Sequence, residues 1–145
     1  MAPAPEHLST PETASFWAKT GDKDSPTRGL SLVQHMLDAG SVAARLWDTW
    51  LAPGLQERFS EHLHLSMEDT RALVCWLAAT HDMGKATPEF SGQLDARRDE
   101  NLAIYRQRIE QQDFEFPKDL VTSTSGMRCP HSKYSQSILI HLLTS

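Results

Sequence analysis

Apolar side chains recur at helical spacing along most of the chain. Over residues 30–51 they return every three, four or seven positions, which predicts a helix that Gly40 is expected to interrupt. Pro53 and Gly54 are expected to end this segment, and a short, weakly patterned helix is expected over residues 56–65. The first half of the chain is therefore predicted to be helical.

The next helix has a clear start and a clear end. Ser66 is followed three residues later by Asp69, the spacing of a capping box, so a helix is predicted from there to Thr80. Its residues are apolar on most faces, which predicts a central, buried helix. The polar pair His81-Asp82 follows directly and is expected to be held rigidly by the core.

The remaining segments extend the helical pattern. A tight turn after Asp82 leads to a short helix from Pro88, and a charged helix over 94–112 carries a thin apolar stripe. Residues 114–130 are expected to form a loop, and a last helix is predicted from His131. No strand-period alternation or internal repeat is present, so the predicted class is all-α. The members of the apolar stripe are Leu102, Tyr105 and Ile109.

The predicted domain covers residues 14–145. The first 13 residues are expected to form a flexible lead-in, Phe16 and Trp17 give the first hydrophobic anchor, and residues 21–29 are expected to form a loop. A total of 145 residues suffices for one domain with one core. The last helix is still apolar at Ser145, so the domain is expected to be C-terminally incomplete, as a fragment or a naturally short version.

Charge and cysteine content narrow the functional classes. The net charge of −5 and pI of about 5.7 argue against a stand-alone nucleic-acid binder, unless a metal or a basic partner supplies positive charge. Cys75 and Cys129 are interpreted as reduced thiols in a protein without a signal peptide. No apolar run is long enough to span a membrane. We therefore expect a cytoplasmic protein without membrane contact.

His81 and Asp82 are the leading candidates for chemistry. An imidazole beside a carboxylate suits a divalent metal that activates water and holds a phosphate. Such pairs also arise by chance, and Lys85 alone fits a solvated cation at a helix end. The chain has seven histidines; His35 and His131 join the candidate set because they lie at or near predicted helices with apolar neighbours. A histidine opening a helix after Pro130 is the ordinary alternative for His131.

Three separated segments carry a family resemblance in the same order along the chain. They read SLVQHMLD at 31–38, THDMGKATPEF at 80–90 and PHSKYSQS at 130–137. Together they resemble the HD superfamily of metal-dependent phosphohydrolases, and most closely the HD nuclease domain of the CRISPR-associated helicase-nuclease of type I systems. The resemblance covers residues 14–145 and implies an HD-domain helical bundle.

The resemblance also implies site residues, cofactors and partners. His35, His81, Asp82 and His131 correspond to metal ligands, with Asp82 as a bridging ligand. Asp82 and Lys85 are the implied catalytic residues, and Lys85 is expected to contact the scissile phosphate. Up to two divalent transition metal ions, of iron, manganese, cobalt or nickel, are implied. The implied partners are single-stranded DNA, the CRISPR helicase and the surveillance complex.

The chain also departs from the family pattern. That pattern continues with an adjacent histidine pair and a closing aspartate, whereas this sequence has no His-His pair, and the helicase motor is absent. Ligands expected for the second metal, and one ligand of the first, therefore have no counterpart in this sequence. Two alternatives to a single-stranded DNA nuclease stay open. One is a catalytically incomplete module that binds the surveillance complex or the helicase, and the other is an HD phosphohydrolase of small nucleotides.

Overall fold

The structure, a computed structural model, describes residues 10–19, 29–91, 103–114 and 131–145. It confirms the all-α class, to which it adds two 3₁₀ turns at Thr13–Ser15 and Met83–Ala86 and two very short strands. The strands are Trp17–Lys19 (β1) and Leu30–Ser31 (β2). The helices are Leu32–Thr49 (α1), Pro53–Leu63 (α2), Met67–Thr80 (α3), Pro88–Ser91 (α4), Ala103–Gln111 (α5) and His131–Thr144 (α6).

The first helix continues unbroken through Gly40. Ser31 caps its start by accepting a hydrogen bond from the Gln34 backbone N–H at 3.2 Å. The expected interruption at Gly40 was wrong, because this glycine serves helix packing. A Cβ atom at position 40 would lie only 3.2 Å from Cβ of Ala79. The small residue therefore lets α1 approach α3 closely and brings their site-bearing ends together.

The second and third helices follow in close succession. Pro53 does not break the chain but opens α2 at its first turn, where the missing N–H costs nothing. The third helix begins as predicted, since Ser66 Oγ accepts from the Asp69 backbone N–H at 3.0 Å, and it ends at Thr80. The prediction that α3 is buried on most faces was wrong. In the described structure Trp76 and Leu77 are exposed.

The two strands form a small hairpin that the sequence did not predict. Trp17 lies opposite Ser31 and Lys19 lies opposite Leu30 in an antiparallel pair. Two residues on one strand therefore advance against one on the other, so Ala18 is the extra residue of a bulge. The hairpin has too few residues to show an alternating pattern, which is why the sequence did not reveal it.

The hairpin and α5 enclose the aromatic part of the core. Its buried members are Trp17, Phe90, Tyr105 and Ile109, and the rings of Trp17 and Phe90 have centroids 4.7 Å apart. The Tyr105 hydroxyl donates a hydrogen bond to the Gly29 carbonyl at 2.7 Å, and burial raises the pKa of this phenol. These contacts tie α5 to the hairpin. The core anchor predicted at Trp17 is confirmed.

Several predicted elements fall partly outside the described residues. These are the lead-in up to residue 9, the loops over 20–28 and 115–130, and the first part of the charged helix, including Leu102. Within the described part of that helix the structure has α5, whose Tyr105 and Ile109 are buried as the apolar stripe predicted. Among the helices that the structure describes, none is long and apolar enough to cross a membrane.

Candidate metal centre

The end of α3 and the turn after it bring the charged side chains of Asp82 and Lys85 together. His81 is the C-cap of α3, and Asp82 follows with φ −108° and ψ 8°, outside the regular helical region. The Asp82 carboxylate makes no capping bond to the 3₁₀ turn Met83–Ala86 and is buried. Residues three apart lie on the same side of a 3₁₀ turn, so Lys85 points back to Asp82.

The Asp82 carboxylate is the centre of a polar cluster. Its Oδ2 atom lies 2.9 Å from His35 Nε2, 2.7 Å from Lys85 Nζ and 3.4 Å from His81 Nε2. Its Oδ1 atom lies 3.2 Å from His131 Nε2. The structure therefore brings all the residues proposed from the sequence onto one carboxylate, although His35 alone is 47 positions from Asp82.

The tautomer of His81 is set by its own helix. Its Nδ1 atom lies 2.7 Å from the Ala78 carbonyl oxygen, which can only accept, so Nδ1 carries the proton. In the neutral imidazole this leaves a lone pair on Nε2, on the side of Asp82. A backbone carbonyl that holds the outer nitrogen of a histidine is the usual support of a metal-ligating imidazole.

The pKa shifts favour the protonation states that metal ligands need. Burial raises the pKa of Asp82, but the hydrogen bond and charge of Lys85, with His81 and His35, outweigh this and hold it below its ordinary value. Burial lowers the pKa of His35, and the opposing effect of Asp82 does not fully restore it. An ionised carboxylate beside a neutral imidazole is the state in which both groups bind a cation.

Lys85 is fixed by a contact that the sequence did not reveal. Its ammonium group is buried and donates a hydrogen bond to the Ala18 carbonyl at 3.1 Å as well as to Asp82. The bulge at Ala18 leaves this carbonyl outside the regular strand pairing. The nitrogen also lies 5.6 Å from the centre of the Phe90 ring. The predicted contact between Lys85 and the scissile phosphate stays a prediction.

The approach of α6 depends on Gly84. The Gly84 backbone N–H donates a buried hydrogen bond to Ser135 Oγ at 2.9 Å, and Ser135 Oγ donates to the His131 carbonyl at 3.1 Å. A Cβ atom at position 84 would lie 2.1 Å from that carbonyl oxygen. Only a glycine admits the first turn of α6 this closely. The sequence predicted a tight turn after Asp82, but it did not point to a role for Ser135, which shares a helix face with His131 at i+4 spacing.

The donor set fits a divalent metal ion. His35, His81 and Asp82 each offer one ligand atom, and these atoms lie within 4.8 Å of one another. Imidazole nitrogens and carboxylate oxygens are both common ligands of divalent metal ions in proteins. In addition, His81 Nε2 lies 3.4 Å from Asp82 Oδ2, close enough for one ion to contact both atoms. His131 stands apart, on the other carboxylate oxygen.

Comparison with known proteins shows the family of this chain. The family described as "Cas3, HD domain" matches residues 17–145 of the chain. The chain belongs to the Cas3 HD-domain family. It is also 30% identical over 130 residues to the CRISPR-associated nuclease/helicase Cas3 of Streptococcus thermophilus. That alignment covers 87% of this chain and 14% of the relative, so the chain spans a small part of the relative's length. No solved structure shows a significant match.

Membership of the Cas3 HD family supports a CRISPR-associated nuclease domain of the hydrolase class. The other described histidines of this Cas3 HD domain lie at exposed positions outside the cluster. His62 and His64 are exposed at the end of α2, and His64 is the left-handed C-cap of that helix with φ 54°. His141 is exposed near the end of α6, and His7 lies outside the described residues.

The candidate metal centre of this Cas3 HD domain opens onto two grooves that share His81. One groove, of about 570 Å³, runs along α1 past His35, Val42 and Leu46, with Lys19 among its lining residues. The other, of about 370 Å³, lies between α3 and α6 and is lined in part by Trp76. Since His81 lines both grooves, a ligand has access to the cluster from two directions.

Proposed function

We propose that this domain is a metal-dependent nuclease that hydrolyses phosphodiester bonds of single-stranded DNA in type I CRISPR interference. The observation that carries the proposal is the Asp82 carboxylate, whose Oδ2 contacts His35 and His81 while its Oδ1 contacts His131. A carboxylate with histidines on both oxygens is suited to bridge two cations. Membership of the Cas3 HD family supports the same chemistry.

In this proposal four residues bind metal and Lys85 supports the shared carboxylate. His35, His81 and Asp82 hold the first cation, of manganese, iron, cobalt or nickel, and His131 with the second oxygen of Asp82 serves a second one. When bound, such a metal lowers the pKa of water and stabilises charge on the phosphoryl oxygens. Lys85 keeps Asp82 ionised through its 2.7 Å contact and balances charge at the centre. Its contact with the scissile phosphate is part of the proposal.

The two grooves favour a polymeric substrate over a small nucleotide. A phosphodiester inside a strand needs room on both sides of the phosphorus atom, whereas a nucleoside triphosphate needs one pocket for its base. His81 lines both grooves, so nucleotides on either side of the cleaved bond have a place to lie. Trp76 in the second groove offers an aromatic surface on which a base of single-stranded DNA can stack.

The proposed partners follow from the family and from the charge of the chain. The Streptococcus thermophilus relative is named as both a nuclease and a helicase, and this chain covers only 14% of it. With a net charge of −5, the domain is not built to capture DNA by charge alone. We therefore propose that a CRISPR helicase and surveillance complex deliver the single strand to it in the cytoplasm.

Cleavage of circular single-stranded DNA tests the proposal directly. We expect the purified chain to cut the circle in added manganese, cobalt or nickel and to lose this activity in a chelator. His81→Ala should lower the rate at least about 100-fold, because even the outer partners of metal ligands are worth 10–100-fold. His62→Ala is the matched control, since His62 is an exposed histidine in α2, and it should cut at the rate of the unchanged chain.

Three results would contradict the proposal, and the first two of them would identify its rivals. Release of phosphate from deoxynucleoside triphosphates without cutting of the circle would identify an HD phosphohydrolase of small nucleotides. Metal binding without hydrolysis of either substrate would identify a catalytically incomplete module that acts by binding the surveillance complex or helicase. Equal loss of activity in the His81 and His62 variants would show that His81 has no special part in the reaction.

A further inference from the structure

We propose that Ser135 is a positioning residue that holds His131 at the metal centre through a bond to Gly84. This inference rests on the proposed function, because it concerns the placement of a proposed ligand. Ser135 is buried in the first turns of α6, and its hydroxyl serves two groups at once. It accepts from the Gly84 backbone N–H at 2.9 Å and donates to the His131 carbonyl at 3.1 Å.

These two bonds connect the parts of the centre that must stay in register. Gly84 lies between Asp82 and Lys85 in the Met83–Ala86 turn, so its backbone moves with the carboxylate. His131 is the first residue of α6 and contacts Asp82 Oδ1 at 3.2 Å. The Ser135 hydroxyl is therefore a direct hydrogen-bonded link between the turn that bears Asp82 and the residue that faces its second oxygen.

Ser137, in the same helix, is a control for the hydrogen bond that a serine makes to its own helix. Ser137 Oγ donates to the Lys133 carbonyl at 3.0 Å, the same bond to the fourth preceding residue that Ser135 makes. Ser137 is exposed and its hydroxyl is directed along α6. Loss of the Ser137 hydroxyl removes the bond within the helix only, whereas loss of the Ser135 hydroxyl also leaves the buried Gly84 N–H without its acceptor.

Manganese binding shows, without relying on catalysis, whether the loss of Ser135 weakens the proposed ligand site at His131. In the full chain, the electron paramagnetic resonance signal of free Mn²⁺ reports how many ions are bound and with what Kd. We expect Ser135→Ala to weaken binding about tenfold, in the range found when outer partners of ligands are removed. Ser137→Ala should bind as the unchanged chain does. Far-UV circular dichroism of both variants should show the same helix content.

A double variant shows whether Ser135 acts through His131. If it does, Ser135→Ala combined with His131→Ala should bind manganese no more weakly than His131→Ala alone. Unchanged binding in Ser135→Ala, or an additional loss in the double variant, would overturn the inference and leave the proposed function standing. Absence of manganese binding by the unchanged chain would instead overturn the proposed function and this inference with it.

Discussion

Asp82→Ala is expected to abolish metal-stimulated cleavage and to lower the free energy of unfolding by about 3 kcal/mol. The first effect follows because Asp82 is the only carboxylate in the cluster formed by the described residues. The second follows because Lys85 is buried and donates to Asp82 at 2.7 Å, so the variant leaves a buried ammonium with the Ala18 carbonyl as its described partner. Urea unfolding and the circular single-stranded DNA assay measure the two effects separately.

A compensating change separates chemistry from stability. Asp82→Ala combined with Lys85→Met removes both buried charges, and we expect it to recover most of the lost stability without any cleavage. Asp48 provides a matched control, since it is paired with Arg71 at 2.7 Å but is exposed. Asp48→Ala should change neither cleavage nor stability appreciably. Cleavage retained in Asp82→Ala would contradict the proposed role of this carboxylate.

Gly84→Ala is expected to displace α6 and to lower cleavage strongly. The added Cβ would lie 2.1 Å from the His131 carbonyl oxygen, 2.6 Å from the Ser135 backbone nitrogen and 2.9 Å from Cβ of Tyr134. Two of these three contacts involve backbone atoms, which cannot turn aside as a side chain can. We expect a loss of about 2 kcal/mol in unfolding free energy, typical of overpacking, together with movement of His131 away from Asp82.

Gly54→Ala is the control for this prediction. A Cβ atom at position 54, in the first turn of α2, would have no neighbour within 4 Å. Since alanine favours a helix over glycine, Gly54→Ala should leave the chain equally or slightly more stable and fully active. Equal stability and activity in Gly84→Ala would contradict the close approach of α6 to the Met83–Ala86 turn.

The sequence predicted the elements whose signals are local. The Ser66 cap and the end of α3 at Thr80 were predicted correctly, because a cap and a change from apolar to polar residues are both visible in a short window. The start of α6 at His131 was predicted equally well. His35, Asp82 and His131 were chosen as a site because of the family resemblance, and folding does bring them together.

The features that the sequence did not reveal depend on contacts between distant segments. The carbonyl of Ala18 accepts from Lys85 across 67 positions, and a backbone oxygen leaves no signature in the sequence. Gly40 was expected to break α1, but it allows close contact with Ala79 of α3. Only the packed pair of helices reveals that contact. The exposure of Trp76 and Leu77 on α3 likewise reflects which faces the described helices cover.

The metal content of each chain decides whether the cluster on Asp82 is a metal centre. Elemental analysis of the purified protein, after dialysis against manganese and then metal-free buffer, should find at least about one ion for each chain, as His35, His81 and Asp82 predict. His81→Ala should retain almost none, and His62→Ala should retain as much as the unchanged chain. An unchanged chain that retains no metal, or a His81→Ala variant that retains it in full, would show that this cluster is not a metal centre.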